Sequence, residues 1–295
     1  MAQVSDVIDK VVRQPLSGTT EERNKLSASV NNTATSLTLT YSPDGIRKGT
    51  VIEIGTEEMY VWDVAIPSKT LTVERGFNGT TAIPHAANAI VTNNPRFPRS
   101  QVLQAINDEL ADLSSPVNGL FQMKTTEVDW NGSDRMVNIP GVYEIQELYA
   151  VFYRYLNDDY PRLRKVRLLR DMPSNDFSSR YALVIDEYIA RSGTLLLQYK
   201  APFDAVNSES DDIEVSAGFP ASAIDLLVLG AQIRMMAPRE IKRNFTESQG
   251  DTRRADEVPA GAVAGSVANL LRLRRDRIVA EAMRLNRQYP TFMKR

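Results

Sequence analysis

The chain has 295 residues, of which 42% are hydrophobic and 24% are charged, and its formal net charge is −2. This composition is typical of a soluble globular protein, and the length suits one large domain or two to three smaller ones. A chain this close to neutral lacks the strongly basic balance of a dedicated nucleic-acid-binding or membrane-surface protein.

The shortage of histidine and cysteine narrows the chemistry that the chain can perform. There is no cysteine, and His85 is the only histidine. Disulfides, thiolate nucleophiles and cysteine-ligated zinc are therefore excluded, and a metal site or a histidine general base has little to build on. Carboxylate-based catalysis, on DNA or on glycans, is the enzymatic alternative that stays open. We expect no catalytic residue, no cofactor and no bound metal.

Residues 1–30 are predicted to form an N-terminal arm. Apolar residues from Val4 to Val11 have a weak helical spacing, but Pro15 and Gly18 end the pattern and a polar stretch follows. Because the arm has little apolar surface of its own, we expect a neighbour to order it. The first residues lack the basic start and apolar core of a secretory signal, and no apolar run approaches the ~20 residues that span a bilayer. No membrane partner is expected.

Residues 31–98 are predicted to form a small β module. Polar and apolar residues alternate in TSLTLTY from Thr35, VIEIGTEEMYVW from Val51 holds two short alternating runs, and TLTVERG from Thr70 and NAIVTN from Asn88 are further predicted strands. The second of these stretches divides into the two strands of a hairpin. Short strands at this density predict a barrel-like or sandwich module.

The rest of the chain alternates between helical and β patterns. Apolar residues recur at three- and four-residue steps in RSQVLQAINDELADL, which predicts an amphipathic helix within 99–118. Candidate strands separated by turn-rich pieces predict an antiparallel sandwich within 119–220. Residues 221–295 hold AIDLLVLGAQIRMM, which is apolar almost all round, and a long Arg-rich closing helix.

Together these elements predict an α+β protein. Its core is a helical bundle of three main helices, supplied by residues 99–118 and 221–295 and ending in the basic C-terminal helix. The antiparallel β-sandwich-like domain at 119–220 is inserted into this bundle. The arm and the small N-terminal β module precede it.

The stretch RGFNGTTAIPHA, which begins at Arg75, could be a phosphate loop, a catalytic corner or a structural turn. A phosphate loop needs a lysine after its second glycine, but Gly79 is followed by Thr-Thr-Ala. A catalytic corner needs a partner for His85, and no nearby residue has the required spacing. The structural interpretation accounts for each residue: Gly76 and Gly79 supply positive φ, Asn78 tolerates it, and Arg75 and His85 form local hydrogen bonds.

Paired carboxylates do not add a catalytic site. Glu57 and Glu58 are adjacent on a predicted strand, so their side chains would point to opposite faces. No acid/base pair is predicted from them, and most such pairs are expected to be solvated.

The closing helix is strongly basic. Eight Lys and Arg residues lie between Arg272 and Arg295, against only Asp276 and Glu281. Three interpretations stay open from the residues alone. The basic face could be simply solvated, it could dock on an acidic protein, or it could contact nucleic acid, although base-reading motifs are missing.

The run from Thr50 to Val91 resembles a module that recurs in virion proteins of tailed phages. There, a strand with the pattern I-G-x-E-x-M-x-V is followed by L-T-V-x-R-G-x-x-G-T-x-A-x-x-H-x-x-G-x-x-V. Asn88 stands where the pattern has glycine, a departure that asparagine's tolerance of left-handed φ explains. The residues taken as matches are Gly55, Glu58, Tyr60, Val61, Leu71, Thr72, Val73, Arg75, Gly76, Gly79, Thr80, Ala82, His85 and Val91.

The helical segments resemble those of phage head-to-tail adaptor, or connector, proteins. The segments that carry this resemblance are FPRSQVLQAINDELADL, AIDLLVLGAQIRMMAPREIKR and the Arg-rich closing helix. With the β module, the resemblance extends over residues 45–115 and 221–290. The β module occurs in several virion components, so a tail, baseplate or capsid-decoration component is the alternative.

The resemblance implies a structural protein that is not an enzyme. Such proteins assemble in the host cytoplasm into a homo-oligomeric ring, here expected to be a dodecamer, in the neck of the virion between capsid and tail. The expected partners are further copies of the chain, the portal protein and the next tail or neck component. DNA would pass transiently and non-specifically through the lumen. Portal docking is expected from Arg272, Arg274, Arg275, Arg277, Arg284, Arg287, Tyr289, Phe292, Lys294 and Arg295.

Overall fold

The computed structural model describes residues 2–13, 21–139, 144–154, 160–187, 192–247 and 262–290. The chain divides into two compact units. Unit 1 comprises Met1–Leu110 and Ala205–Arg277, and unit 2 comprises Ala111–Asp204 and Ile278–Arg295. Each unit is built from two separate pieces of the sequence.

Unit 1 contains a closed six-stranded antiparallel barrel. Along the sheet the strands run in the order β1-β6-β3-β4-β5-β2. The two edge strands meet through a bridge between Leu26 and Leu39, where the Ser27 amide donates to the Thr38 carbonyl at 2.9 Å. The strands are β1 (Arg23–Lys25), β2 (Ser36–Thr38), β3 (Val51–Ile54), β4 (Glu57–Ala65), β5 (Thr70–Glu74) and β6 (Ile90–Asn93).

The barrel interior is filled by alternate residues of these strands. Since successive side chains of a strand point to opposite faces, one face of each strand supplies apolar residues to a single core. Strand β5 shows the pattern, with Leu71 and Val73 buried and Thr72 and Glu74 exposed. The core residues include Leu37, Ile52, Ile54, Met59, Val61, Leu71, Val73 and Val91.

The five helices of the described residues lie wholly or partly in unit 1. α1 buries an apolar stripe of valines and Ile8 and packs against α4. No described helix is both long enough and apolar enough to cross a membrane. The helices are α1 (Val4–Arg13), α2 (Arg99–Leu113), α3 (Ile213–Ser216), α4 (Ile224–Glu247) and α5 (Ala262–Gln288).

Unit 2 is an antiparallel β-sandwich. One sheet has the order β10-β9-β13-β7 and the other β11-β12-β8. Both sheets contribute to one core, in which Leu195 and Leu197 of the first sheet lie with Leu183 and Ile185 of the second. The strands are β7 (Gln122–Trp130), β8 (Met136–Asn138), β9 (Glu147–Arg154), β10 (Arg162–Leu163), β11 (Val166–Leu169), β12 (Ala182–Ile185) and β13 (Gly193–Ala201).

The predicted α+β fold class, a bundle of three main helices with an inserted domain, is wrong. The described residues form a mixed α/β structure, in which five helices accompany thirteen strands in three antiparallel sheets. Long helices are confined to one region, Ile224–Gln288. The closest helix packing among the described residues joins α4 to α1, which the sequence had placed in an arm. Helical spacing shows that a helix has an apolar face, but it does not show which element covers that face.

Candidate functional site

The buried carboxylate of Glu57 is the centre of the candidate site. Glu57 begins β4 and is fully inaccessible to solvent. Its Oε1 accepts from Arg75 Nε at 2.7 Å and from the Gly76 amide at 3.2 Å. Its Oε2 accepts from Arg75 Nη2 at 2.8 Å and from the Ile83 amide at 3.1 Å, and His85 Nε2 lies 2.8 Å from the same oxygen. The carboxylate therefore holds both ends of the loop from residue 75 to residue 85.

Arg75, through its side chain, and His85, through its backbone, also bind the segment that precedes β2. Arg75 Nη1 donates to the carbonyls of Asn31 at 2.6 Å and Ala34 at 3.0 Å. His85 and Val30 exchange two backbone hydrogen bonds of 2.9 Å. Arg75 and His85 are thus anchored on two separate stretches of the chain, Glu57 of β4 and residues 30–34.

Glu57 is ionised over the physiological pH range. Burial on its own would raise the pKa of this carboxyl group, but hydrogen bonds from Arg75, His85 and the Ile83 amide outweigh burial and lower the pKa to about 2. An ionised carboxylate only accepts hydrogen bonds and offers about four lone-pair positions, and here they are all taken. The Glu57 carboxylate has no position left for a substrate, and its contacts support the fold of the loop.

The backbone of the loop explains its glycines and asparagine. Gly76, Asn78 and Gly79 have φ values of 64°, 54° and 80°. At Gly76 a Cβ atom would lie 2.8 Å from the carbonyl oxygen of Thr80, so only glycine fits there. Asn78 uses its side chain as well, because its Nδ2 donates to Glu58 Oε2 at 2.7 Å.

A second acidic cluster lies on β3 and β4, where Glu53 and Glu58 are directly opposite each other. Both are buried, with exposed fractions of 4% and 2%. Glu53 Oε2 accepts from the Arg99 amide at 2.5 Å, and Glu58 Oε1 accepts from the Ser100 hydroxyl. Ionisation of both groups would place like charges opposite each other, which is unfavourable. As acceptors, the two carboxyl groups lie at the positive end of α2 and satisfy donors of its first turn.

Arg99 extends this cluster to other parts of unit 1. Its guanidinium donates to Glu209 at 2.7 Å and to Asp9 of α1 at 2.7 Å. Burial raises the pKa of Glu53 to about 8. The hydrogen bond from the Arg99 amide and the charge of Arg99 lower this pKa, but their effects are smaller than that of burial. The neighbouring cavity of about 430 Å³ is lined by these residues and by His85. The arginine charge at this cavity is already balanced by carboxylates of the chain.

Several predicted portal-docking residues of α5 bind the chain itself. Arg274 Nε donates to the buried Glu109 at 2.7 Å, and Arg277 Nε donates to Asp225 at 2.8 Å. Arg284 pairs with Glu281 one turn away, at 2.6 Å. Tyr289 packs edge-on against the rings of Phe121 and Tyr149, at 6.1 and 5.9 Å. These four side chains stabilise their own unit.

The other predicted docking residues have a different environment. Arg272, Arg275 and Arg287 are exposed, and no ion pair or hydrogen bond holds their side chains within the described ranges. Phe292, Lys294 and Arg295 lie outside the described residues. Portal docking therefore stays a prediction for this surface.

Comparisons with known proteins do not identify the chain. No protein-family profile matches it, and no curated protein matches it significantly. Within the part of the chain that the structure describes, no group of three or more histidine, aspartate or glutamate side chains is placed to hold a metal ion.

The buried glutamates are the functional residues that the sequence prediction missed. Most carboxylate pairs were expected to be solvated, but Glu57 and Glu58 are both buried. The pattern I-G-x-E-x-M-x-V could have identified Glu57. When its first two letters are aligned with Ile54 and Gly55, its glutamate falls on Glu57 and its methionine on Met59. The matches taken above place these two letters one residue later, at Glu58 and Tyr60. The E-x-M-x-V spacing places Glu57 on the face of β4 that carries the buried Met59 and Val61.

Replacing Glu57 should strongly destabilise unit 1. Glu57→Gln leaves the buried Arg75 charge without its carboxylate, which costs about 3–5 kcal/mol of unfolding free energy. Trp62 lies in unit 1 and Trp130 in unit 2, and they are the only tryptophans. Urea unfolding followed by Trp62 fluorescence in a Trp130→Phe background therefore reports unit 1. The exposed Asp63→Asn is the control and should change stability by less than about 0.5 kcal/mol; equal effects of the two would contradict the proposed role of Glu57.

Unit 1 should lose stability as the pH rises towards 8. The pKa of Glu53 is raised from 4.5 to about 8 in the folded state. Its contribution to stability is therefore complete below pH 4.5 and is lost as the pH rises through 8. In the same fluorescence assay, the urea midpoint of the natural protein should fall between pH 5 and 8. This fall should be smaller in Glu53→Gln and unchanged in Asp63→Asn. An unchanged slope in Glu53→Gln would exclude this group as its source.

Proposed function

We propose that the protein is a structural component of a tailed-phage virion. In this proposal, copies of the chain form a ring, with twelve subunits as the expected number, in the neck between capsid and tail. The ring joins the portal protein to the next tail or neck component and continues the channel through which DNA leaves the head.

The observation that carries the proposal is the way Glu57 holds the loop of residues 75–85. Arg75, Gly76 and His85 match named positions of the phage-module pattern, and each contacts the Glu57 carboxylate. The pattern can therefore be understood as the signature of a self-contained fold support. This favours a structural module over a catalytic one, because the Glu57 carboxylate has no acceptor position left for a substrate.

Portal docking is assigned to the end of α5 and the residues that follow. Arg274, Arg277 and Arg284 already neutralise carboxylates of the chain, so they contribute little to an external surface. Arg287 is exposed, and the sequence adds Lys294 and Arg295 after it. A basic end of this kind fits an acidic partner surface by charge complementarity.

A tail, baseplate or capsid-decoration component is the second candidate. It is favoured by the same loop, because the β module occurs in those virion proteins as well. The two candidates differ in the position that they assign to the chain within the particle.

Electron cryomicroscopy of virions tests the proposal. A ring of this chain directly beneath the portal is the expected result, and density at the tail tip or on the capsid surface would contradict it. Virions assembled with Arg287→Glu should contain less of the protein by about tenfold, which corresponds to ~1.4 kcal/mol of lost docking energy. The matched reversal Arg164→Glu, on an exposed arginine of the sandwich, should leave incorporation unchanged.

A further inference from the structure

An ordered aromatic surface lies on the outside of the barrel. We call it the Trp62 face, and it consists of Tyr60, Trp62, Asp63, Glu74 and Phe77. The indole of Trp62 is 50% exposed. It is nevertheless held in place, because the pairing of β4 with β5 shifts at Trp62 and because its Nε1 donates to Glu74 Oε2 at 3.1 Å. Such a register shift is a β-bulge, which changes the direction in which a side chain points.

The Trp62 face is connected to the loop that Glu57 supports. Tyr60 meets Trp62 edge-on, with 4.8 Å between ring centroids, and its other neighbour is Phe77 of the loop, at 5.3 Å. A large aromatic side chain that is both exposed and fixed loses little conformational entropy on binding. Such side chains are common at the centres of protein interfaces.

Charge narrows the kind of partner that this face can take. Asp63 and Glu74 are both exposed beside the indole. Carboxylates at this position repel the phosphates of nucleic acids and favour a partner that is apolar and cationic. Arginine suits an indole well, because its guanidinium stacks on aromatic faces and pairs with carboxylates.

The chain itself carries a surface with this chemistry, on the part of α5 that belongs to unit 1. We call it the Leu271 patch, and it consists of Ala268, Leu271, Arg272 and Arg275. Residues at these spacings lie on one face of a helix. Leu271 is 47% exposed, and Arg272 and Arg275 are exposed without an ion-pair partner in the described part of the chain.

We propose that the Trp62 face of one copy binds the Leu271 patch of a second copy. The inference rests on the proposed ring and supplies its subunit contact. Because two different surfaces meet, the contact is heterologous, and a pair of copies keeps one free Trp62 face and one free Leu271 patch for further copies. Arg272 and Arg275 are thereby assigned to the subunit contact, and portal docking is left to the end of α5.

Disulfide cross-linking of the full-length chain tests this contact. The natural chain has no cysteine, so every disulfide reports introduced residues. Thr72→Cys places a thiol on the exposed neighbour of Asp63 in β5, and Ala268→Cys places one in the Leu271 patch. Chains that carry these substitutions and different tags are mixed and oxidised. The control replaces Ala268→Cys by Val117→Cys, at a position that is 94% exposed in unit 2.

The mixed dimer should form from Thr72→Cys and Ala268→Cys at least about tenfold more than in the control pair. Adding Arg272→Glu and Arg275→Glu to the Ala268→Cys chain should abolish this excess of mixed dimer. Adding Asp63→Arg to the Thr72→Cys chain as well should restore part of the excess. A yield no higher than the control, or one that charge reversal leaves unchanged, would overturn the inference. The outcome is separate from that of the proposed function, since cross-linking succeeds or fails in purified protein whatever the position of the chain in virions.

Discussion

The barrel of unit 1 depends on one buried ion pair, that of Glu57 with Arg75. A carboxylate without any exposure is unfavourable unless its charge is balanced and its lone pairs are filled. Here one arginine balances the charge, and backbone amides and His85 fill the remaining positions. The loop conformation, including the left-handed residues at Gly76 and Asn78, is set by this requirement. A stretch that looks like a catalytic corner is thus a local folding device.

Adjacent glutamates of one strand give β4 two roles. Glu57 supports the loop, while Glu58 on the opposite face binds Asn78 of that loop and Ser100 of α2. Glu53, across from Glu58, accepts the first amide of the same helix. The carboxyl groups of Glu53 and Glu58 therefore fix the position of α2 on the barrel. Ionisation of the buried Glu53 at high pH lowers the stability of unit 1. Through Phe77 and Tyr60 the loop also supports the exposed Trp62.

Much of the barrel could be predicted from the sequence, and the contacts around Arg99 could not. Alternation marks β5, and the glycine and asparagine positions of the loop follow from turn chemistry. The period-two pattern also places Glu57 beside core residues. By contrast, Arg99 binds partners 90 and 110 residues away, Asp9 and Glu209. Local periodicity contains no information about such pairings, and for the same reason it could not show that α1 covers α4.

Amide hydrogen exchange at Gly76 and Ile83 tests most directly whether Glu57 supports the loop. Both amides lie outside the strands, yet each donates to the buried carboxylate. If the carboxylate holds the loop, both should exchange as slowly as the ladder amides of β5, and both should become fast in Glu57→Gln while the ladder amides of the unit 2 sandwich stay slow. Fast exchange of Gly76 and Ile83 in the natural protein, at the rate of exposed loop amides, would contradict this account.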